Sequence, residues 1–168
     1  TTILNQTSFT CANAGQNTVT LTITDVHGNS STCNTTLTVV PQAVTLSIQA
    51  DTALCGYNIS CNGAIDGSIT ANGAGGCPPY SYSWSTGANT STVTGLGAGT
   101  YSVTVTDGAG GTTVSNVTLT EPSPLQVTAT STATCTDDST GSISVSVMGG
   151  NDCQGYSFAW STGNSTST

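Results

Sequence analysis

The chain is predicted to be all-β, built as tandem immunoglobulin-like β-sandwich domains in an elongated array. Three observations carry that expectation: threonine alternates with aliphatic residues over many short runs, no segment shows a helical period, and one passage is written twice about 75 residues apart. Val19-Thr20-Leu21-Thr22-Ile23-Thr24 places Val, Leu and Ile on one face of a strand and Thr on the other. Threonine suits the wet face, because its branched Cβ favours extended backbone while its hydroxyl meets water. Turn signals about every 8–12 residues between six or seven short strands fit the sandwich class.

Taken in order, the first unit covers residues 1–40 and offers one hairpin: Thr18–Asp25, a turn at His27-Gly28-Asn29, then Thr35–Val40. Two strands cannot close a sandwich core, so earlier strands of this unit are expected ahead of Thr1. Pro41 begins a short linker. The second unit, residues 44–121, carries candidate strands Val44–Ala50, Ser68–Asn72, Tyr80–Ser85, Ser91–Thr94, Thr100–Thr106 and Thr113–Thr120. Glu121-Pro122-Ser123-Pro124 reads as a stiff junction, since each proline fixes its own backbone and restricts the residue before it. The third unit, residues 125–168, contains the alternating run Ser142–Val147 and stops soon after Trp160, so the chain is expected to be an internal portion of a longer exported protein.

The repeated passage runs CNGAIDGSITANGAGGCPPYSYSWSTG from Cys61 and CTDDSTGSISVSVMGGNDCQGYSFAWSTG from Cys135. Gly67 aligns with Gly141, Ile69 with Ile143, Tyr80 with Tyr156 and Trp84 with Trp160. A unit copied end to end with its aromatic residues intact suits a spacer or display element better than an active-site domain.

Composition narrows the function classes. Of 168 residues none is Lys or Arg, eight are Asp or Glu and one is His, so only 5% are charged against an average of about 25%. Nucleic-acid binding needs cations to replace condensed counterions, and there are none. A P-loop lysine, a Schiff-base lysine and a basic membrane patch are excluded on the same ground. No stretch approaches the ~20 apolar residues of a membrane span, so no membrane insertion is expected here.

Seven cysteines in 16.6 kDa point to an oxidising compartment. Cys11 and Cys33 flank the first hairpin strand and are expected to pair. Cys61 and Cys77 recur as Cys135 and Cys153, so a bridge within each copy is the simplest connectivity. Cys55 is left over: free, paired outside the segment, or replacing Cys61 as the partner of Cys77. The cysteines lack paired C-x-x-C spacing, which favours disulfides over zinc.

The string C-x-G-x-x-D-G-S, then G-G, P-P-Y-x-Y-x-W-S-x-G and L-G-A-G-T-Y-x-V-x-V-T-D resembles the SprB repeat of large cell-surface adhesins of Bacteroidota, the gliding-motility adhesin among them. The first unit (S-F-T-C, G-x-N-T-V-T-L-T-I-T-D, G-N-S-S-T-C) resembles the C-terminal part of a HYR or PKD-type Ig-like domain. The resemblance implies an extracellular, cell-surface protein exported by type IX secretion and working in adhesion or motility. Its partners would be an extracellular surface polymer or glycan and neighbouring repeats of the same chain. Members of the family often carry Cys after the D-x-x-G turn, whereas Asp107-Gly108-Ala109-Gly110 is followed here by Gly111, so the family's bridge pattern does not transfer.

Several residues are candidate sites. Tyr80, Tyr82 and Trp84 alternate onto one strand face, as a glycan-stacking platform or, more simply, as core aromatics. Asp25, Asp66, Asp107 and Asp137-Asp138 sit in turns where weak Ca2+ binding is conceivable, although Asp in a turn commonly caps its own backbone. Asp51-Thr52-Ala53 and Asp138-Ser139-Thr140 fit an O-glycosylation sequon on Thr52 and Ser139. No catalytic residue stands out: His27 lies in a turn, no G-x-S-x-G elbow is present, and no two acidic residues stand out as a glycosidase pair. The expected role is a stalk or filament segment of a secreted adhesin. A carbohydrate-binding accessory region of a secreted enzyme and a static sheath-like fibre are the alternatives.

Overall fold

The computed structural model describes residues 2–133 and 141–162. Its described residues are all-β apart from two three-residue 3-10 helices, Cys11–Asn13 and Leu54–Gly56. The strands are β1 (Thr2–Leu4), β2 (Gly15–Thr24), β3 (Ser30–Val39), β4 (Val44–Ala50), β5 (Gly67–Gly75), β6 (Ser81–Trp84), β7 (Thr92–Leu96), β8 (Gly99–Thr106), β9 (Thr112–Leu119), β10 (Gln126–Thr132) and β11 (Ser142–Met148). They form four sheets, ordered β1-β2-β3, β4-β5-β7, β6-β8-β9 and β10-β11. The first hairpin is longer than its apolar pattern alone suggests. Register runs from Gly15↔Val39 to Thr24↔Ser30, so polar Gln16 and Asn17 are paired as well.

The chain forms two compact units. The first comprises Thr1–Ile48, Ala71–Ser91 and Ser102–Asn116. It contains the β1-β2-β3 sheet and a core in which Ala71, Val103 and Val105 are fully buried, with Trp84, Cys77 and Val44 nearly so. Val103 and Val105 are two apart on β8 and therefore share its inner face. Opposite them Gly73 of β5 has no side chain for a reason. A Cβ there would stand 3.0 Å from the Tyr80 ring and 3.1 Å from Val105.

The second unit comprises Gln49–Thr70, Thr92–Tyr101 and Val117–Thr168. Ile59, Ile69 and Leu119 are its buried apolar residues, with Leu96 close behind and Pro122 fully enclosed. Gly67 on β5 is again a contact glycine, since a Cβ would fall 2.6 Å from Ile59 and 2.8 Å from Leu119 of β9. Each unit thus packs part of β5 against the β6-β8-β9 sheet. Burying each such Ile, Leu or Val contributes about 1.5–3 kcal/mol. The β10–β11 pair is in continuous register from Gln126↔Met148 to Thr132↔Ser142, with Val127, Ile143 and Met148 exposed.

Candidate functional site: two glycine corners and their cystines

The chemistry-bearing residues gather at two corners of the same design. At the first, Gly75 and Gly76 end β5 in the left-handed region, at φ 66° and 54°. Any side chain would collide there: a Cβ on Gly75 would sit 2.5 Å from the Ala43 carbonyl oxygen, and one on Gly76 would sit 2.2 Å from Oδ2 of Asp107. The Tyr80 hydroxyl donates to the Gly75 carbonyl at 2.5 Å and closes the corner. The second copy repeats it. Gly149 and Gly150 have φ 76° and 70°, a Cβ on Gly149 would meet the Pro124 carbonyl oxygen at 2.2 Å, and the Tyr156 hydroxyl donates to the Gly149 carbonyl at 2.6 Å.

A cysteine follows each corner, and each bridges to a 3-10 helix. Cys77 is bonded to Cys11 and Cys153 to Cys55, with Cα–Cα distances of 5.3 and 5.4 Å. This corrects the expected Cys11–Cys33, Cys61–Cys77 and Cys135–Cys153 pairs. Cys33 and Cys61 are exposed free thiols, Cys55 is paired, and Cys135 lies outside the described residues.

The physical reasons are in the strands. Cys33 faces Leu21 in the β2–β3 register, whereas Cys11 precedes β2 at the end where Gly15 meets Val39. Six residues of strand, about 20 Å, separate those levels, and a cystine needs Cα atoms within about 7 Å. Cys61 and Cys77 lie at opposite ends of the nine-residue β5, which spans ~27 Å. The recurring Gly-Gly step before a cysteine was visible in the sequence. That its partner lies upstream was not.

The first corner has an additional support. Asp107, 7% exposed, accepts the Cys77 amide on Oδ2 at 3.0 Å, and the Ala109 and Gly111 amides on Oδ1 at 3.0 and 2.7 Å. The Cys77 amide foremost, then those of Gly111, Ala109 and Gly110, lower its pKa against the opposing effect of burial. Asp25 builds the same D-x-x-G turn on β2–β3, its Oδ1 accepting from His27 and Asn29 at 2.8 and 2.9 Å. These carboxylates cap backbone, and among the described residues no group of three or more His, Cys, Asp or Glu could hold a metal ion. The sequence marks Asp107 as a turn former, and its second oxygen on the cystine loop was not foreseen.

The alternating aromatics point their polar tips into the fold. Trp84 is buried and its Nε1 donates to the Thr90 carbonyl at 2.8 Å. The half-buried Tyr82 accepts the Gly73 amide on its hydroxyl at 3.1 Å. Thr52 is exposed, while Ser139 and Asp137-Asp138 lie outside the described residues. The Glu121–Pro124 junction is fastened down: Glu121 accepts the Gly63 amide at 2.7 Å and Asn62 Nδ2 at 3.0 Å, beside the enclosed Pro122. A cleft of about 420 Å³ lies there, lined by Cys61, Asn62, Pro124, Leu125, Asn151 and Tyr156 among others. No described helix is long and apolar enough to cross a membrane.

The family model described as the SprB repeat matches residues 57–89 and 127–165, each match holding one glycine corner. No curated protein matches the chain. Among solved structures, an amphioxus IgVJ-C2 molecule is similar at 18% identity and a TM-score of 0.40, over 68% of this chain and 64% of that one.

Proposed function

We propose that this chain, which matches the SprB-repeat model at residues 57–89 and 127–165, is a non-catalytic stalk segment of an exported cell-surface adhesin, serving surface attachment or gliding motility. SprB repeats are typical of extracellular cell-surface proteins, and the family match supports a repeat region of the cell-surface adhesin type. The finer reading rests on one observation above the others: the same glycine corner, tyrosine clasp and following cystine are built twice in one chain. Duplication of scaffold rather than of a reactive constellation supports a spacer or display role. The sequence segments 1–40, 44–121 and 125–168 would be successive members of a longer array. Its partners would be a surface polymer or glycan and neighbouring repeats.

The test is labelling of unpermeabilised cells under flow with an antibody raised against residues 44–121. Label that travels along the cell surface is the outcome expected of a motility adhesin, and stationary surface label that of an attachment stalk. Label found only in the medium would sink the proposal.

A further inference from the structure

We infer that the two cystines give this segment a mechanical function: they make it a short covalent tether in which only residues 55–77 carry tension between the bridges. The inference is independent of the adhesin reading. It follows from the order of the half-cystines along the chain, Cys11, Cys55, Cys77, Cys153, with Cys11 bonded to Cys77 and Cys55 to Cys153. The two loops, of sequence separation 66 and 98, interlock rather than nest or follow one another.

Pulled from its ends, the covalent chain takes its shortest route. Force enters along residues 1–11, crosses to Cys77, runs backward from 77 to 55, crosses to Cys153 and leaves along 153–168. Residues 12–54 and 78–152 stay slack however hard the ends are pulled. The tensioned piece includes core residues, since Ile59, Ile69 and Ala71 are fully buried and Gly67 is packed against Ile59 and Leu119. No bond among Cys33, Cys61 and Cys135 offers a shorter route, so the inference does not depend on their state.

The consequence is a length. At about 3.4 Å per residue the fully extended oxidised segment reaches only ~170 Å, against ~570 Å for the reduced chain. Each bridge contributes a different share. Losing Cys11–Cys77 redirects force through residues 11–55 and lengthens the path by about 75 Å, while losing Cys55–Cys153 redirects it through 77–153 and lengthens it by about 185 Å.

The experiment is single-molecule stretching of the full 168-residue chain between terminal handles, after alkylation of its free thiols. It compares the oxidised chain, Cys11→Ser/Cys77→Ser, Cys55→Ser/Cys153→Ser, and the chain reduced with dithiothreitol. The expected contour lengths are about 170, 245, 355 and 570 Å in that order. Because the readout is the length of the unfolded chain, a variant that fails to fold still reports. An oxidised chain that extends to ~380 Å, the length left by sequential local bridges, overturns the inference. So does a set of paired variants that do not lengthen in the stated order. Peptide mapping without reduction, using a chymotrypsin-type protease because the chain has no Lys or Arg, must also recover Cys11 linked to Cys77.

Discussion

Ile69 and Ile143 hold the same place in the two copies, two residues after an aligned glycine, and their surroundings differ completely. Ile69 is fully buried and Ile143 is 51% exposed. The corners that follow them are alike to within a tenth of an ångström in the tyrosine clasp. The contrast separates two kinds of information. Glycines with positive φ and a tyrosine five to seven residues on are enough to shape a corner locally. Burial is not local, because β5 needs the β6-β8-β9 sheet across from it. Ser81–Trp84 forms a strand by pairing with Val103–Thr106, whereas the matching Ser157–Trp160 is not in a strand, and no described segment plays β8's part for it.

The sharpest way to break this comparison is to truncate matched apolar residues. Trp84→Ala is expected to cost about 3–5 kcal/mol and Ile69→Ala about 2–5 kcal/mol, because each empties a closed core. Ile143→Ala is expected to stay within ~0.5 kcal/mol, as surface substitutions do. Denaturant unfolding followed by Trp fluorescence measures all three. Equal losses for Ile69→Ala and Ile143→Ala would mean that the second copy has a core of its own.

A second distinction lies in how the cystine loops are fastened. The Cys77 amide is held by the carboxylate of Asp107, whereas the Cys153 amide points at the sulfur of Cys55, 3.2 Å away. The folded-state pKa of Asp107 is lowered below its ordinary 3.8. Its contribution to stability is therefore fully present above that value and drains away as pH falls through 3.8 and then through the lower folded value. Acid is expected to loosen the first corner before the second. Protection of the Cys77 amide, taken relative to its intrinsic exchange rate at each pH, should fall below about pH 4 while protection at Cys153 holds, and Asp107→Asn should remove that acid dependence and lower protection at Cys77 at neutral pH. An unchanged acid profile in Asp107→Asn would place the pH response elsewhere.

The same division explains what could be read from the sequence. Strands were legible wherever threonine alternates with aliphatic residues: β4 was expected at Val44–Ala50 and lies there, and β8 and β9 begin and end within a residue of expectation. Period-2 patterning is a local property, and so is the D-x-x-G turn at Asp25 and Asp107. The disulfides were not legible, because pairing depends on which ends of long strands meet. Recurrence of the pair in both copies favoured Cys61–Cys77, and the nine extended residues between them keep the two apart. The role of Gly76 was hidden for the same reason, since what excludes a side chain is Asp107, 31 positions further along and brought in by the β8–β9 turn.

The smallest expected effect tests the local half of the argument most directly. Tyr80→Phe and Tyr156→Phe each delete a single hydroxyl that donates to a corner carbonyl, at Gly75 and Gly149. The ring and its packing stay in place. A typical hydrogen bond contributes about 0.5–1.5 kcal/mol net, and both tyrosines are half-buried. If the corner is a locally specified object, the two losses should agree within the error of the measurement, although one corner adjoins a closed core and the other an exposed strand pair. If burial sets the strength of the clasp, Tyr80→Phe should cost clearly more, because low-dielectric surroundings strengthen the bond and make an orphaned carbonyl expensive. Amide exchange at Gly76 and Gly150 reads each corner separately, so the comparison survives even where the two copies do not unfold together.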